Sequence, residues 1–329
     1  MPPAPSSGPW RIATRRSELA QVQAQSVADA LTAATGRDAE LVPTATVGDD
    51  HPERAIEAFD AKGLFVDGTR RAVLDGDCHM VVHSYKDLPT EPADGLLIGA
   101  APRRADPRDA LVTREGHRLA DLPRDRQVVI GTSSPRRKAQ VNKTRRDILV
   151  QPIRGNIPTR LGKVASGELD GIVIAVAGLL RLQPQGFPEL TAVPLEHGEM
   201  LHAPAQGALA VECREDDAET RKALARHVDD ERMRTILTAE RELLRQLEGG
   251  CTAPIGAHAD VIAGPTGEDR LELLGMLSDP TGTNLYRASH ETGVDEPEML
   301  GRVMAITLKE AGGGQVLERL RAAGGLDRG

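Results

Sequence analysis

The stretch Gln127-Val-Val-Ile-Gly-Thr-Ser-Ser-Pro-Arg-Arg-Lys-Ala-Gln-Val-Asn-Lys143 passes from an apolar run straight into a helical pattern. Its spacing predicts a strand over 127–130 and a helix from Pro135 to Lys143. Ser134 is placed to cap that helix, and proline takes the first helical position, where its missing N–H costs nothing. The three residues that follow, Arg136, Arg137 and Lys138, are all cationic. Positive charge in a first helical turn opposes the macrodipole, at a cost of a few tenths to about 1 kcal/mol. A solvated basic helix end is one reading of this cluster. The other is an anion site, where free N–H groups, two hydroxyls and two guanidiniums converge at the carboxyl edge of a sheet.

The alternation continues in both directions. Downstream, a strand over 148–153, a helix from Pro158 to Ser166 and a strand from Gly171 to Ala175 are expected; upstream, a strand over 11–14 runs into a helix that Ser17 caps and Gly36 stops. Strand-like runs follow at 40–46 and 79–83, with a helix over 68–75 between them. Short strands separated by helices predict α/β domains built on parallel sheets. The proline-rich, charged connection Pro102–Asp109 reads as a hinge between two such blocks. Beyond Asp230 the texture changes: a helix to Leu247, strands over 257–262 and 270–277, and a helix over 296–311 form a smaller α+β unit. A short helical pattern recurs over 316–322, and no internal sequence repeat is found.

With 329 residues the chain is long enough for two or three domains. Its net charge of −8 and 2% aromatic content argue against nucleic-acid binding, which needs a broad basic field and stacking platforms. Its longest apolar stretch, Ile172–Leu180, is too short to span a bilayer. The first nine residues, rich in Pro and Ser, lack the pattern of a secretion signal and read as a disordered tail. Cys78, Cys213 and Cys251 are widely spaced and form no metal or disulfide framework, which suits a reducing cytoplasm. His79 and His83 share a strand face without a carboxylate partner, and no metal site is expected.

Two more strand-to-helix junctions repeat the basic construction. Arg15 and Ser17 stand at the first, while Arg154-Gly155-Asn156 closes a later strand and Arg160 begins the helix after it. Arginine suits carboxylates because its planar fork engages both oxygens. A polyanionic ligand held between two α/β domains is the expectation. Ser84-Tyr-Lys86-Asp87 follows the buried strand His79–His83, so Asp87 is either a turn cap or a carboxylate that stabilises a cation and moves protons. Cys78 and Cys213 read as buried small apolar residues. Cys251, between two glycines and a Pro-Ile-Gly turn, can project its thiol as a nucleophile or a covalent anchor.

Taken together, Arg11-Ile-Ala-Thr-Arg-Arg-Ser17, Thr46-Val-Gly-Asp49, Lys62-Gly-Leu-Phe65, His83-Ser-Tyr-Lys-Asp87, Gly131-Thr-Ser-Ser-Pro-Arg-Arg137, Arg154-Gly-Asn156, Thr159-Arg160, Ala205-Gln-Gly-Ala208 and Glu248-Gly-Gly-Cys251 resemble the porphobilinogen deaminase (hydroxymethylbilane synthase) family. Each motif alone is common; their colinearity is specific. The resemblance implies two periplasmic-binding-protein-like α/β domains with a cleft between them and a smaller α+β C-terminal domain. Its domains would be 10–104 with 205–228, then 105–204, then 229–329. It further implies a covalent dipyrromethane in thioether linkage to Cys251, onto which four porphobilinogen molecules condense with loss of ammonia before hydrolysis releases hydroxymethylbilane. Asp87 would be the catalytic carboxylate. Ser84, Lys86, Asp87, Thr132, Ser133, Ser134, Arg136, Arg137 and Gly155 would hold the cofactor; Arg15, Ser17, Lys62, Arg154, Asn156, Arg160, Arg181 and Gln206 would bind substrate. A monomeric, cytoplasmic enzyme without membrane or nucleic-acid partners is implied. The stretch Glu57–Ala61 and the residues Asp67-Gly-Thr-Arg70 depart from the family pattern, which leaves the charge and mobility of a lid around Lys62 open. Two other readings compete: a noncatalytic anion-binding protein with the same arginines, which would need neither Asp87 nor Cys251, and a cysteine-nucleophile enzyme, for which no activating histidine motif stands beside Cys251.

Overall fold

Helix starts and stops fall where the local chemistry puts them. In the computed structural model, which describes residues 8–44, 61–247 and 253–322, Ser17 caps the first helix by accepting the Ala20 N–H. Gly36 ends that helix in the left-handed conformation, at φ 70°. Ser134 accepts the Arg137 N–H at the start of a second helix, and Asn156 accepts the Thr159 N–H at the start of a third. Each such cap is worth about 1 kcal/mol.

Along the chain the first elements are β1 (Trp10–Arg15), α1 (Glu18–Thr35), β2 (Ala39–Thr44), α2 (Ala61–Leu74), β3 (Met80–Ser84) and β4 (Leu96–Ala100). Next come β5 (Asp109–Thr113), β6 (Val129–Gly131), α3 (Pro135–Thr144), β7 (Leu149–Gln151), α4 (Ile157–Ala165), β8 (Gly171–Ala175), α5 (Val176–Leu182) and β9 (Thr191–Pro194). The last group is β10 (Leu209–Arg214), α6 (Ala218–His227), α7 (Glu231–Gln246), β11 (Ile255–Ala263), β12 (Asp269–Ser278), β13 (Leu285–Gly293), α8 (Pro297–Leu308) and α9 (Gly314–Ala322).

These elements form two units: residues up to Ala105 with Gly207–Arg234, and Asp106–Gln206 with the residues from Thr235 onward. The first unit holds a five-stranded sheet in the order β2-β1-β3-β10-β4. The second holds a five-stranded sheet in the order β7-β6-β8-β5-β9 and the antiparallel sheet β11-β12-β13. The C-terminal elements form the smaller α+β portion that the sequence leads one to expect, and they lie within the second of these units.

The expectation of parallel sheets needs correction. Strands β2, β1 and β3 are parallel, but β10 runs antiparallel to both β3 and β4; likewise β7, β6 and β8 are parallel while β5 is antiparallel to β8 and β9. The strands absent from the sequence reading are largely these returning and edge strands. In β10, wholly buried Glu212 and Arg214 interrupt the apolar run, and in β5 buried Asp109 does the same. Both five-stranded sheets therefore follow one plan, with no matching repeat in the sequence.

The core of the first unit joins Ile12 of β1, Leu31 of α1, Met80 of β3 and Val211 of β10. In the second unit the sheet carries apolar side chains on both faces: Ile130 and Val173 pack with Val141 of α3, whereas Ile172 and Ile174 pack with Leu161 and Val164 of α4. Strands covered on both faces read as continuous apolar runs, as Gly171–Ala175 does. The three-stranded sheet docks on α3, where Gly282, at φ 77°, comes so close that the Ala139 carbonyl oxygen leaves no room for a Cβ. Arg287 of β13 reinforces that contact by donating to Gln140 Oε1 at 2.9 Å.

Candidate functional site

In open α/β sheets, ligand-binding groups gather beyond the carboxyl ends of the strands, where the strand order reverses. In the first unit that point lies between β1 and β3. The loop after β1 carries Arg15 and Ser17; the residues ending β3 are Ser84 and then a 3₁₀ turn, Tyr85–Asp87. The turn is pinned by the Tyr85 N–H, which donates to the Ala208 carbonyl at 3.1 Å, and by Leu88, whose side chain is buried. Between these anchors Asp87 is exposed and Lys86 half-buried. An exposed carboxylate on a fixed turn suits exchange of protons with a ligand.

In the second unit the corresponding point lies between β6 and β8. The residues beyond these strands and beyond β7 are Thr132–Arg137, Arg154–Arg160 and, in α5, Arg181. Asp109, the first residue of β5, faces Ala175 at the end of β8 and so stands at the same edge. It is fully buried and surrounded by donors. Arg136 Nη1 donates to its Oδ2 at 2.7 Å, while Arg137 Nη2 and Nε donate to its Oδ1 at 2.6 and 3.1 Å. Gln206 Nε2 donates to the same Oδ1 at 2.8 Å. Burial alone would raise the Asp109 pKa; the two guanidiniums override it and hold the carboxyl far below the usual carboxylate range.

Among the described residues, Arg136 and Arg137 share one carboxylate, which leaves this cluster a net positive charge. Arg160 adds to it: burial pulls its pKa down and Arg137 repels it, while its Nε donates to the Gly155 carbonyl at 2.8 Å. Burial also depresses Arg181. Desolvated cations of this kind are stabilised by an anion. The surroundings fit a ligand carrying several carboxylates, such as a dipyrromethane, because the donor set is cationic and exceeds its internal acceptors.

The other expected residues serve the scaffold as well. Ser133 Oγ ties down the loop after β7 by accepting the Ile153 N–H at 3.0 Å and donating to its carbonyl at 2.5 Å. Thr132 Oγ1 accepts the Ser134 N–H at 3.2 Å. Gly155, at φ 101°, is required where it stands, since a Cβ would lie 2.8 Å from Thr159 Cγ2. Arg154 is exposed beside it. Gln206, expected at the substrate, is 1% exposed and holds Asp109. The side chain of Lys62, on α2, and the whole of Thr46–Asp49 and Cys251 lie outside the described residues.

Asp109 itself escaped the sequence reading. Its only signal was a carboxylate opening an otherwise apolar run, Asp109-Ala-Leu-Val-Thr113, in which all five residues are buried.

A family model described as "Porphobilinogen deaminase, dipyromethane cofactor binding domain" matches residues 10–222, and one described as "Porphobilinogen deaminase, C-terminal domain" matches residues 235–310. A porphobilinogen deaminase from Acidothermus cellulolyticus is 44% identical over 317 residues, covering 95% of this chain and 92% of that protein. One from Thermobifida fusca is 42% identical over 327 residues, covering 97% and 99%. Porphobilinogen deaminase 1 of Streptomyces coelicolor is 45% identical over 290 residues, covering 87% and 89%. Among solved structures, an ancestral cationic amino acid solute-binding protein aligns at 14% identity over 67% of this chain and 87% of its own, with a TM-score of 0.38. That likeness is too remote to carry an argument.

Proposed function

Because the chain belongs to the porphobilinogen deaminase family, we propose that it joins four porphobilinogen molecules in sequence, with loss of ammonia, and releases hydroxymethylbilane by hydrolysis. A covalent dipyrromethane, when bound, supplies the pyrrole carbon to which the first unit is joined. The observation that carries this reading is the charge excess around Asp109. Each porphobilinogen brings an acetate and a propionate, so a growing chain accumulates negative charge on a protein whose overall charge is already −8. Arg136 and Arg137, held by Asp109, offer their remaining N–H donors to carboxylates. Arg15, Arg154, Arg160 and Arg181 are assigned to incoming and growing acidic groups, and so are Ser17, Lys62 and Asn156. Ser84, Lys86, Thr132, Ser133, Ser134 and Gly155 are assigned to the cofactor, and Cys251 to its thioether anchor. Gln206 acts through Asp109.

Arginines alone would repel the cation left when the substrate amine departs. Asp87 is assigned the opposing charge. Its carboxyl proton goes to the leaving amine, its carboxylate then stabilises the positive pyrrole nitrogen, and it takes up the ring proton once the new carbon–carbon bond has formed. One proton leaves with ammonia and one returns, so the group is regenerated in each cycle. The reaction class is a group transfer, and we assign a monomer acting in the cytoplasm. No helix among the described residues is long and apolar enough to cross a membrane.

Intact-protein mass spectrometry with peptide mapping tests the assignment. Two pyrrole units on the Cys251 peptide, extending in single-pyrrole steps after porphobilinogen is added, are expected; an unmodified mass that does not change with substrate would overturn it. Asp87→Asn should fold normally and lose about 10²- to 10⁴-fold in turnover. Near-normal product formation by that variant removes Asp87 from the chemistry.

A further inference from the structure

Three histidines that the reaction does not use meet in the second unit. His197 and His202 lie on the segment after β9, and His258 is on β11. Their ligating atoms all lie within 4.8 Å of one another. His202 Nε2 is 3.0 Å from His258 Nδ1, and the rings of His197 and His258 stack with centroids 3.6 Å apart. His202 is fully buried; the other two are half-buried.

Backbone contacts, more than side-chain rotation, bring them together. The Ala257 N–H donates to the His202 carbonyl at 3.0 Å. Gly256 approaches Leu201 so closely that a Cβ there would lie 2.9 Å from Leu201 Cβ and 3.1 Å from its carbonyl oxygen. Leu201 is itself clamped by Gln140, which accepts its N–H and donates to its carbonyl, each at 2.9 Å. The segment holding His202 therefore has little freedom relative to the strand holding His258.

The chemistry of the group is that of a cation site. His202 Nδ1 lies 2.9 Å from the Ala203 carbonyl oxygen, a contact that only an N–H can make. This fixes the tautomer: without an ion, His258 Nδ1–H donates to His202 Nε2, and a cation takes the place of that proton. A carbonyl behind one ring nitrogen, orienting the other, is the usual support of a metal-bound imidazole. Imidazole donors select zinc, copper or nickel over magnesium and calcium. With Zn–N bonds of about 2.0–2.1 Å, tetrahedral ligand nitrogens stand roughly 3.4 Å apart, so binding draws the present spread together and turns the stacked His197 and His258 rings out of parallel until their in-plane lone pairs meet.

We propose that His197, His202 and His258 form a mononuclear site for a late first-row divalent cation, zinc fitting best, with a fourth position left to water. The ion braces the segment that ends in Gln206, the donor to Asp109, against the three-stranded sheet. It is a structural brace and takes no part in the condensation.

The test uses the full chain purified without a histidine tag, stripped with a chelator and titrated with zinc chloride by calorimetry. A parallel titration with cobalt chloride is followed by visible absorption. One equivalent should bind, the thermal unfolding midpoint should rise, and the cobalt form should show the intense visible bands of four-coordinate nitrogen ligation. His197→Gln and His258→Gln, at half-buried positions, should each weaken binding by about 100-fold or more. The proposal is overturned if no saturable binding occurs at one equivalent, if the double variant His197→Gln/His258→Gln binds like the parent, or if the cobalt spectrum shows thiolate charge transfer. The cobalt spectrum of the unaltered protein decides the matter even where a variant fails to fold.

Discussion

The two units bury a carboxylate against arginine in the same kind of sheet, but at different stoichiometry. In the first, Glu212 of β10 receives a bidentate pair from Arg70, at 2.8 and 2.7 Å, and His83 Nε2 lies 3.2 Å away. In the second, Asp109 of β5 receives two guanidiniums, with Arg160 close enough to be repelled by one of them. Glu212 thus closes a local charge balance with one arginine, and the group holds the sheet to α2. Asp109 leaves a surplus, and the surplus is what an acidic ligand can use. Removing one partner of either buried pair leaves an unpaired charge and destabilises, but only the group with excess charge has attraction left for an acidic ligand.

Four changes break or sharpen this contrast. Asp109→Asn leaves two buried guanidiniums without their counter-charge and should cost about 3–5 kcal/mol, read as a lowered urea midpoint. Glu212→Gln should cost less, about 1–3 kcal/mol, because Arg70 keeps some solvent contact. Burial would raise the Glu212 pKa, but the neighbouring His83 ring and the two hydrogen bonds from Arg70 outweigh it and bring it from 4.5 down to about 2. A depressed carboxylate pKa contributes stability that is present above 4.5 and is lost as the pH falls towards about 2. Stability measured across that window should fall less steeply in Glu212→Gln than in the parent; identical slopes would remove Glu212 from the acid response.

Asn156→Ala removes the α4 cap, the acceptor of the Thr159 N–H and hydroxyl, and should cost about 1 kcal/mol. The smallest stability effect is expected for Arg160→Met, which replaces a desolvated cation by an apolar chain of similar length. Its unfolding midpoint should stay level or rise slightly, while the KM for porphobilinogen rises by at least about tenfold, the worth of one charge-assisted hydrogen bond. A lowered midpoint with unchanged KM would make Arg160 part of the scaffold.

Much of the site was legible because it sits at strand-to-helix junctions, and junctions have local signatures. Ser134-Pro135 and Asn156-Ile-Pro158 announce helix starts, and the arginines beside them share one sheet edge once the strands are placed. Asp87 was legible for the same reason, following the buried strand β3. Asp109 was not, because an aspartate beside Pro107 and Arg108 looks like part of a charged loop until β5 is paired with β8. The shared plan of the two sheets was also hidden, since strand order is set by distant pairings that leave no sequence repeat. The three histidines belong here too: the separation of His202 from His258 along the chain carries no spacing rule, and tertiary contacts, the Gly256–Leu201 approach and the Ala257–His202 backbone bond, bring them together.

By itself, the sequence determined the α/β class, the caps and boundaries of most helices, the arginine-rich junctions and the family. All of these rest on short-range chemistry: periodicity, turn and cap preferences, and residue types in fixed order. Tertiary structure alone decided that β10 and β5 run against their neighbours, that Arg136 and Arg137 are held by one buried carboxylate, and that Gln206 faces Asp109. Those facts depend on which distant segments share a low-dielectric interior, where a charge must find its partner whatever its place in the chain.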